Sequence, residues 1–530
     1  MTPQARLSAA VEVLDNIART RAPADAVLRE WGRAHRFAGS GDRRAIAERV
    51  YACLRGRARF AWRMAGDDGR ALVLGSLAEC DTVHEIEGLF TGEGHAPAVL
   101  SDAEREQLRA PAPAMPAHVR AGIPEWLVPE FERAFGDPWV AQAHALVSER
   151  APVDLRVNTL KATRDAVAAE LDAAGIQYEH THWSDVGLRL HPETDVQSLP
   201  AFKEGRVEVQ DESSQIAAWL SGAGPGMTVV DYCAGGGGKT LALATLLDNS
   251  NFKNRHPGLV PGPAVGVEAL LPDGSPAGQH NPNSEPTGGS RDEPGMTGNI
   301  DGEERGEREG RLYAFDVNPD RLDAIRPRLK RAGVTAELRP IGPDGQGTSD
   351  LTATADLVFV DAPCSGSGTW RRRPEDPWRL TPAELDRLHA LQTQILAKAA
   401  TLVRPGGRLV YATCSVLPRE DEDTVAAFAA AHPHFRPVPI SQALDPVTPG
   451  SSRDVTPGLS RGAPIPEALA PVIPGSSRDV IPGSSRGAPN LSPLARTRLA
   501  ALAGTGHTLR LSPRLSGTDG FFIALFERNQ

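Results

Sequence analysis

Five cysteines in 530 residues, at 53, 80, 233, 364 and 414, form no CxxC pair, and the 14 histidines show no HExxH or similar spacing. Neither a disulfide framework nor a structural zinc site is therefore expected. No uninterrupted apolar run approaches the roughly 20 residues a membrane helix needs. The opening MTPQARLSAAVEVLD has no signal-peptide core, so a cytoplasmic protein is expected. The net charge of −10 offers no overall basic character for a nucleic-acid partner. Charge distribution matters more than its sum, however. GxGxxG, the dinucleotide fingerprint, is missing as well.

What is present is long enough for about two to four domains. Residues 1–130 read helical: AVEVLDNIART and RRAIAERVYACLRGRARFAWRMA carry apolar residues at three- and four-residue spacing. Arg36, Arg43, Arg44, Arg49, Arg55, Arg57 and Arg59 crowd there, interleaved with Trp31, Phe37, Phe60 and Trp62. That composition suits a phosphate-contacting face, and equally a solvated arginine-rich surface. Residues 135–215 mix strand-like VDLRVNTL, GLRLHP and GRVEVQD with a helix ATRDAVAAELDAAG, for which Thr163 is the expected N-cap and Gly175 the C-cap. A small α+β module fits.

From 216 to 530 strands alternate with helices, the pattern of a doubly wound parallel sheet. The expected strands are MTVVDYC, RLYAFDVN, ADLVFVDAP and GRLVYATC, with HTLRLSP and GFFIALFER as a closing antiparallel hairpin. Residues 250–309 and 443–490 interrupt this domain. Both are rich in Gly, Pro, Ser, Asn and Asp; GSSRDV recurs within the second and SRDEPGMTG echoes it in the first, so they read as flexible repeat-derived insertions.

Four motifs carry chemistry. VVDYCAGGGGKT (229–240) ends a strand in four glycines and opens a helix, an arrangement for a nucleotide-type cofactor or for a plain tight turn. It is not a phosphate-binding Walker loop, because Cys233 stands where that motif needs glycine. Asp316, ending YAFD, sits where doubly wound sheets place an acid on a ribose diol, although it also suits a helix start. Together these favour S-adenosylmethionine over a dinucleotide. LVFVDAPCSGSGTWRRRP delivers Asp361 and Cys364 to the carboxyl edge of the sheet and adds a Trp-Arg-Arg-Arg run, expected to touch a phosphate backbone. GGRLVYATCS brings Cys414 to the end of the strand expected beside it. Buried, unreactive packing is the common fate of cysteine, but two thiols beside a cofactor loop fit another chemistry. A thiolate added to carbon 6 of a pyrimidine makes carbon 5 nucleophilic enough to take a methyl group, and an acid near ring nitrogen 3 assists.

These motifs, in this order, resemble the RsmB/Sun family of RNA cytosine carbon-5 methyltransferases, with DAPC followed by TCS the most specific part. The resemblance implies an α/β fold: a Rossmann-like class I methyltransferase domain, a small ferredoxin-like α+β module at 135–215 and an all-α NusB-like domain at 1–130, the last two binding RNA. It implies S-adenosyl-L-methionine as cofactor and RNA, in particular 16S rRNA, as partner, with the chain acting as a monomer away from membranes. Cys414 then corresponds to the nucleophile and Cys364 to the thiol that assists product release. Cys233, Ala234, Gly235, Gly236, Gly237, Gly238 and Lys239 correspond to the methionine-binding loop, Asp316 to the ribose acid, and Asp361 to an acid touching cofactor and base. The chain departs from the family pattern at Gly236, where proline is usual, and at Pro377, where a basic residue is usual. The acid expected after the third strand is Asp344 or Asp350. Two rival readings are a DNA cytosine methyltransferase using Cys364 and a non-catalytic ribosome-assembly factor.

Overall fold

The computed structural model describes residues 1–247, 310–444 and 492–530. The two repeat-rich stretches lie outside these residues, except that Ala443 and Leu444 close a helix, Ile440–Leu444, in which Leu444 is buried. The expected start of the second insertion at 443 therefore falls inside this helix, whose Leu444 side chain packs in the core.

Helices dominate up to Trp139–Val147. The first, Pro3–Thr20, starts from Thr2, whose hydroxyl accepts the Ala5 N–H, and buries Leu7, Ala10, Val13, Leu14 and Ile17 on one face. Trp31 and Phe60 join the same core, so they are not part of a nucleic-acid face. Arg57 and Arg59 are half-buried in ion pairs with Asp67 and Glu79. The exposed remainder of that expected face is Arg36, Arg43 and Arg44, with Trp62 and, at 72% exposure, Phe37. Of the helices that follow, Val128–Phe135 and Trp139–Val147 bring Phe131 and Trp139 against Trp370, Val416 and Leu417.

An antiparallel four-stranded sheet follows, ordered β2 (Tyr178–His180), β3 (Gly187–Leu190), β1 (Val153–Val157), β4 (Val207–Val209). Thr163 caps its helix, Arg164–Ala173, through the Ala166 N–H.

Among the described residues the second sheet has eight strands. β5 (Thr228–Asp231), β6 (Arg311–Asp316), β7 (Glu337–Pro340), β8 (Ala355–Asp361) and β9 (Val403–Thr413) are parallel and ordered β9-β8-β5-β6-β7. β12 (Phe521–Arg528) runs antiparallel beside β9 and carries β10 (Phe435–Pro437) and β11 (Thr508–Leu511) on its far edge. The chain builds outward from β5 to β6 and β7, then returns to β8 on the other side. The strand order reverses between β5 and β8, and the carboxyl ends flanking such a switch point are where sheets of this kind take ligands. No helix of the described residues is long and apolar enough to cross a membrane.

Buried ion pairs join the small sheet to the loop after β8. Arg371 Nε donates to Asp519 Oδ1 at 2.6 Å, and Arg372 bridges Asp519 and Asp211, the latter at 2.9 Å. Two cations of the Trp-Arg-Arg-Arg run are thus structural, and Trp370 is fully buried; Arg373 alone of the four is exposed. The expectation of an RNA-contacting cluster fails here because Asp211 and Asp519, both remote in sequence, claim the guanidinium groups. Alongside, Arg189 grips Asp154 with two bonds of 2.7 and 2.8 Å. Glu212 Oε1 accepts the N–H groups of Trp183 and Ser184. Burial pushes the Glu212 carboxyl up to about 7. At the back of the Cys364 loop, Gly520 N–H donates to Gly368 O at 2.8 Å, and the two backbones pass so closely that a Cβ on Gly368 would lie 2.0 Å from Gly520 O.

Two outcomes follow. Gly368→Ala forces this crossing apart and is expected to cost about 1–3 kcal/mol, read as a lower thermal midpoint. Glu212 holds its proton in the folded state up to about pH 7, whereas the unfolded value is near 4.5, so its contribution to stability falls as pH rises from about 4.5 to about 7. Glu212→Gln keeps the amide oxygen for both N–H donors and removes that fall. The variant should gain on the order of 2 kcal/mol over wild type at pH 8 and little at pH 4, measured by thermal unfolding across pH.

Candidate active site

β8 is an apolar run, LVFV, buried between the layers, and it ends in Asp361. Ala362 N–H donates to Ala412 O at 2.9 Å, continuing the β8–β9 pairing one step past Asp361. Gly368 N–H then donates to Cys414 O at 2.9 Å, folding the Cys364 loop back over the end of β9. The consequence is a sulfur pair: Sγ of Cys364 and Sγ of Cys414 stand 3.4 Å apart, both half-buried. The hydrogen bond to Cys414, and then burial, push the Cys364 thiol well above its ordinary range. Of the other cysteines, Cys53 is buried in the helical core and Cys80 is exposed, both far back in the N-terminal helices.

The glycine loop follows β5. Tyr232 N–H donates to Phe359 O on β8 and Ala234 N–H to Phe315 O on β6, each at 2.8 Å, so the loop spans both neighbouring strands. Gly235 and Gly237 take φ values of 52° and 80°, the left-handed region that side chains avoid. A Cβ on Gly237 would also lie 2.8 Å from Ile325. Asp316 accepts the Gly235 N–H at 3.0 Å and the Asn318 N–H at 2.8 Å. Cys233 is half-buried below the loop, and burial raises its thiol well above the usual value. Gly238 starts the helix Gly238–Leu247.

Lys239, the next residue of that helix, reaches across to Asp361 with Nζ 2.6 Å from Oδ2, over the ring of Phe521 at 4.8 Å. Burial alone would lower the ammonium's pKa, but the Asp361 carboxylate outweighs it and holds Lys239 above its ordinary value. Below this pair, the fully buried Asp231 accepts the Thr240 hydroxyl at 2.6 Å, and burial raises its carboxyl to about 7.

The two candidate acids after β7 differ. Asp350 is taken by Arg339, with bonds of 2.7 and 2.9 Å, while Asp344 is mostly exposed and lies 3.5 Å from Lys398. Pro377 is buried in a short turn, Asp376–Trp378, against which the N-terminal helices dock: the Ala24 N–H donates to Glu375 at 2.9 Å.

Several contributors carry no local signal. Gln210 at the end of β4 donates to Gly238 O at 3.1 Å, and Arg328 donates to Gly236 O while its other nitrogen pairs with Glu208 at 3.0 Å. Only tertiary contact places these side chains on the loop, 28 and 92 residues away from their partners.

Two family models match the chain. The ferredoxin-like domain of RsmF/B-like methyltransferases covers residues 123–197, and 16S rRNA methyltransferase RsmB/F covers 303–463. Ribosomal RNA small subunit methyltransferase B of Sodalis glossinidius (strain morsitans) is 31% identical over 361 residues, 66% of this chain and 65% of that protein. Its counterpart in Enterobacter sp. (strain 638) is 29% identical over 347 residues, 65% of each. The aligned chain thus spans 65% of the length of these relatives. The crystal structure of PH0851 has the same fold, with a TM-score of 0.62 at 22% identity, covering 100% of this chain and 99% of that one. Both modules, in sequence on one polypeptide, are thus similar to those of RsmB/F methyltransferases.

Proposed function

We propose that the protein methylates carbon 5 of cytosine in RNA, most specifically small-subunit ribosomal RNA, with S-adenosylmethionine as donor. The observation that carries this reading is the 3.4 Å sulfur pair at the ends of adjacent parallel strands, beside Asp361 and one strand from the glycine loop. A single packing cysteine needs no such partner.

The side chains present fit the donor. Each Asp316 oxygen accepts one N–H, and a carboxylate has about four acceptor positions, which leaves capacity for a ribose diol. Val317 beside it is 62% exposed and offers an apolar surface suited to a purine. Gly235–Gly238 give close backbone approach, and Asp344 is the freer of the two acids after β7. S-adenosylmethionine, when bound, supplies an electrophilic methyl group on a sulfonium.

The chain's own residues divide the remaining work. The resemblance at TCS assigns the nucleophile to Cys414, and Cys364, its sulfur 3.4 Å away, is placed to act as the thiol that assists release. The Cys414 sulfur bonds to carbon 6 of the base, and carbon 5 becomes enamine-like. Asp361, oriented by Lys239, faces the ring where charge accumulates. Loss of the carbon 5 proton after methylation re-forms the 5,6 double bond and expels Cys414, with Cys364 placed to return a proton to that sulfur. The presence of Cys414 beside Cys364 supports RNA-type over DNA-type chemistry, which would place the nucleophile at Cys364.

Gly236, the feature favouring a non-catalytic reading, is offset by the Arg328 and Gln210 bonds to the loop carbonyls. Exposed Arg36, Arg43 and Phe37 are offered as RNA contacts of the helical region.

Cys414→Ala is expected to abolish the covalent protein–RNA adduct and to lower methyl transfer by on the order of 10³-fold or more. Cys364→Ala should instead let the adduct accumulate. Denaturing gels of enzyme with labelled RNA read both, and the reverse pattern would reassign the nucleophile. Bisulfite sequencing of 16S rRNA from a deletion strain locates the base.

A further inference from the structure

Each thiol is followed by a serine, and both serines end on one carboxylate. Ser365, after Cys364, donates its N–H to Glu420 Oε1 at 2.8 Å and its hydroxyl to Oε2 at 2.5 Å. Ser415, after Cys414, donates its hydroxyl to the same Oε2 at 2.6 Å. A fourth donor arrives from the helix Pro382–Ala400: Gln392 Nε2 lies 2.9 Å from Oε1 and 3.0 Å from the carbonyl of Pro363, the residue before Cys364. Glu420 is fully buried. The four bonds fill its acceptor capacity, which leaves little room for the loops to shift independently. A second tie, Ser367 hydroxyl to Ser415 hydroxyl at 3.0 Å, closes the arrangement.

Burying a carboxylate is costly, and well-packed apolar groups serve stability equally well or better. What four convergent bonds supply instead is a fixed distance between two chain segments just past the end of the β8–β9 ladder. We propose that Glu420 is a positioning residue for the two sulfurs: by holding the serine that follows each cysteine, it sets their separation. Its consequence for catalysis rests on the two-thiol reading above; the geometry does not.

Glu420→Gln is the informative change, because the hydroxyls cannot simply reverse. Ser365 and Ser415 hydroxyl oxygens already accept the N–H groups of Ser367 and Leu417, so accepting from an amide would leave their own protons unpaired. The readout is closure of a Cys364–Cys414 disulfide in the full-length protein treated with diamide. One thiolate adds to the reagent's nitrogen–nitrogen double bond; the other displaces the reduced hydrazine and closes the S–S bond. Peptide mass spectrometry follows the linked pair over time. Wild type should close it rapidly, and Glu420→Gln about tenfold more slowly. The turnover of RNA should fall by about 10- to 100-fold with the KM for S-adenosylmethionine unchanged, a split that general loosening of the fold would not produce. Ser365→Ala removes one hydroxyl strap only and should move both readouts the same way by less, which serves if the Gln variant does not fold. Disulfide closure at the wild-type rate in the folded variant overturns the proposal. A wild type that forms no RNA adduct overturns the two-thiol reading, while the disulfide rates still decide the role of Glu420.

Discussion

The parallel pairing of β8 with β9 is the constraint from which the site derives. Register sets Asp361 opposite Ala412, so both chains leave the sheet at one level and their next residues enter one space. A slip of one residue would turn Asp361 toward the other face and separate the sulfurs. The run LVFV is buried within the layers and keeps one register with β9 from Leu357 to Asp361.

Around this pairing, the polar interior is unusually committed. Asp211, Asp519, Arg371 and Arg372 close one network, Asp154, Arg189 and Glu212 a second, and Glu420 with its four donors a third. Each joins segments from different parts of the chain, and none would be needed merely to exclude water. Such networks make the arrangement specific rather than strong: an ion pair taken out of water returns little net stability, but one partner left alone is expensive. The small sheet and the loop after β8 are therefore locked in one relative placement.

Much of this was legible in the sequence where chemistry is local. Strand ends can be read from LVFVDAPC and RLVYATC, the glycine turn from AGGGGK, and the closing hairpin from two alternating runs. Thr163 as a cap could be read for the same reason: its partner is three residues away. The failures share a cause. Trp370, Arg371 and Arg372 look like a basic aromatic patch, yet their partners, Phe131 and Asp519, lie 147 residues or more away on other elements. Trp31 and Phe60 were likewise indistinguishable from surface aromatics until the helices packed. Glu420 reads as an ordinary acid in PRED; its four donors become neighbours only when two strands and a helix meet.

The bond from Arg328 to the carbonyl of Gly236, with Glu208 of β4 behind it, has a consequence for modularity. Glycine gives that bend no stiffness of its own, so its rigidity is on loan from an adjoining sheet. Cut away from that sheet, the larger domain would keep its strands but hold a slacker seat for any nucleoside, and grafting it onto another scaffold would have to carry the carboxylate and guanidinium along.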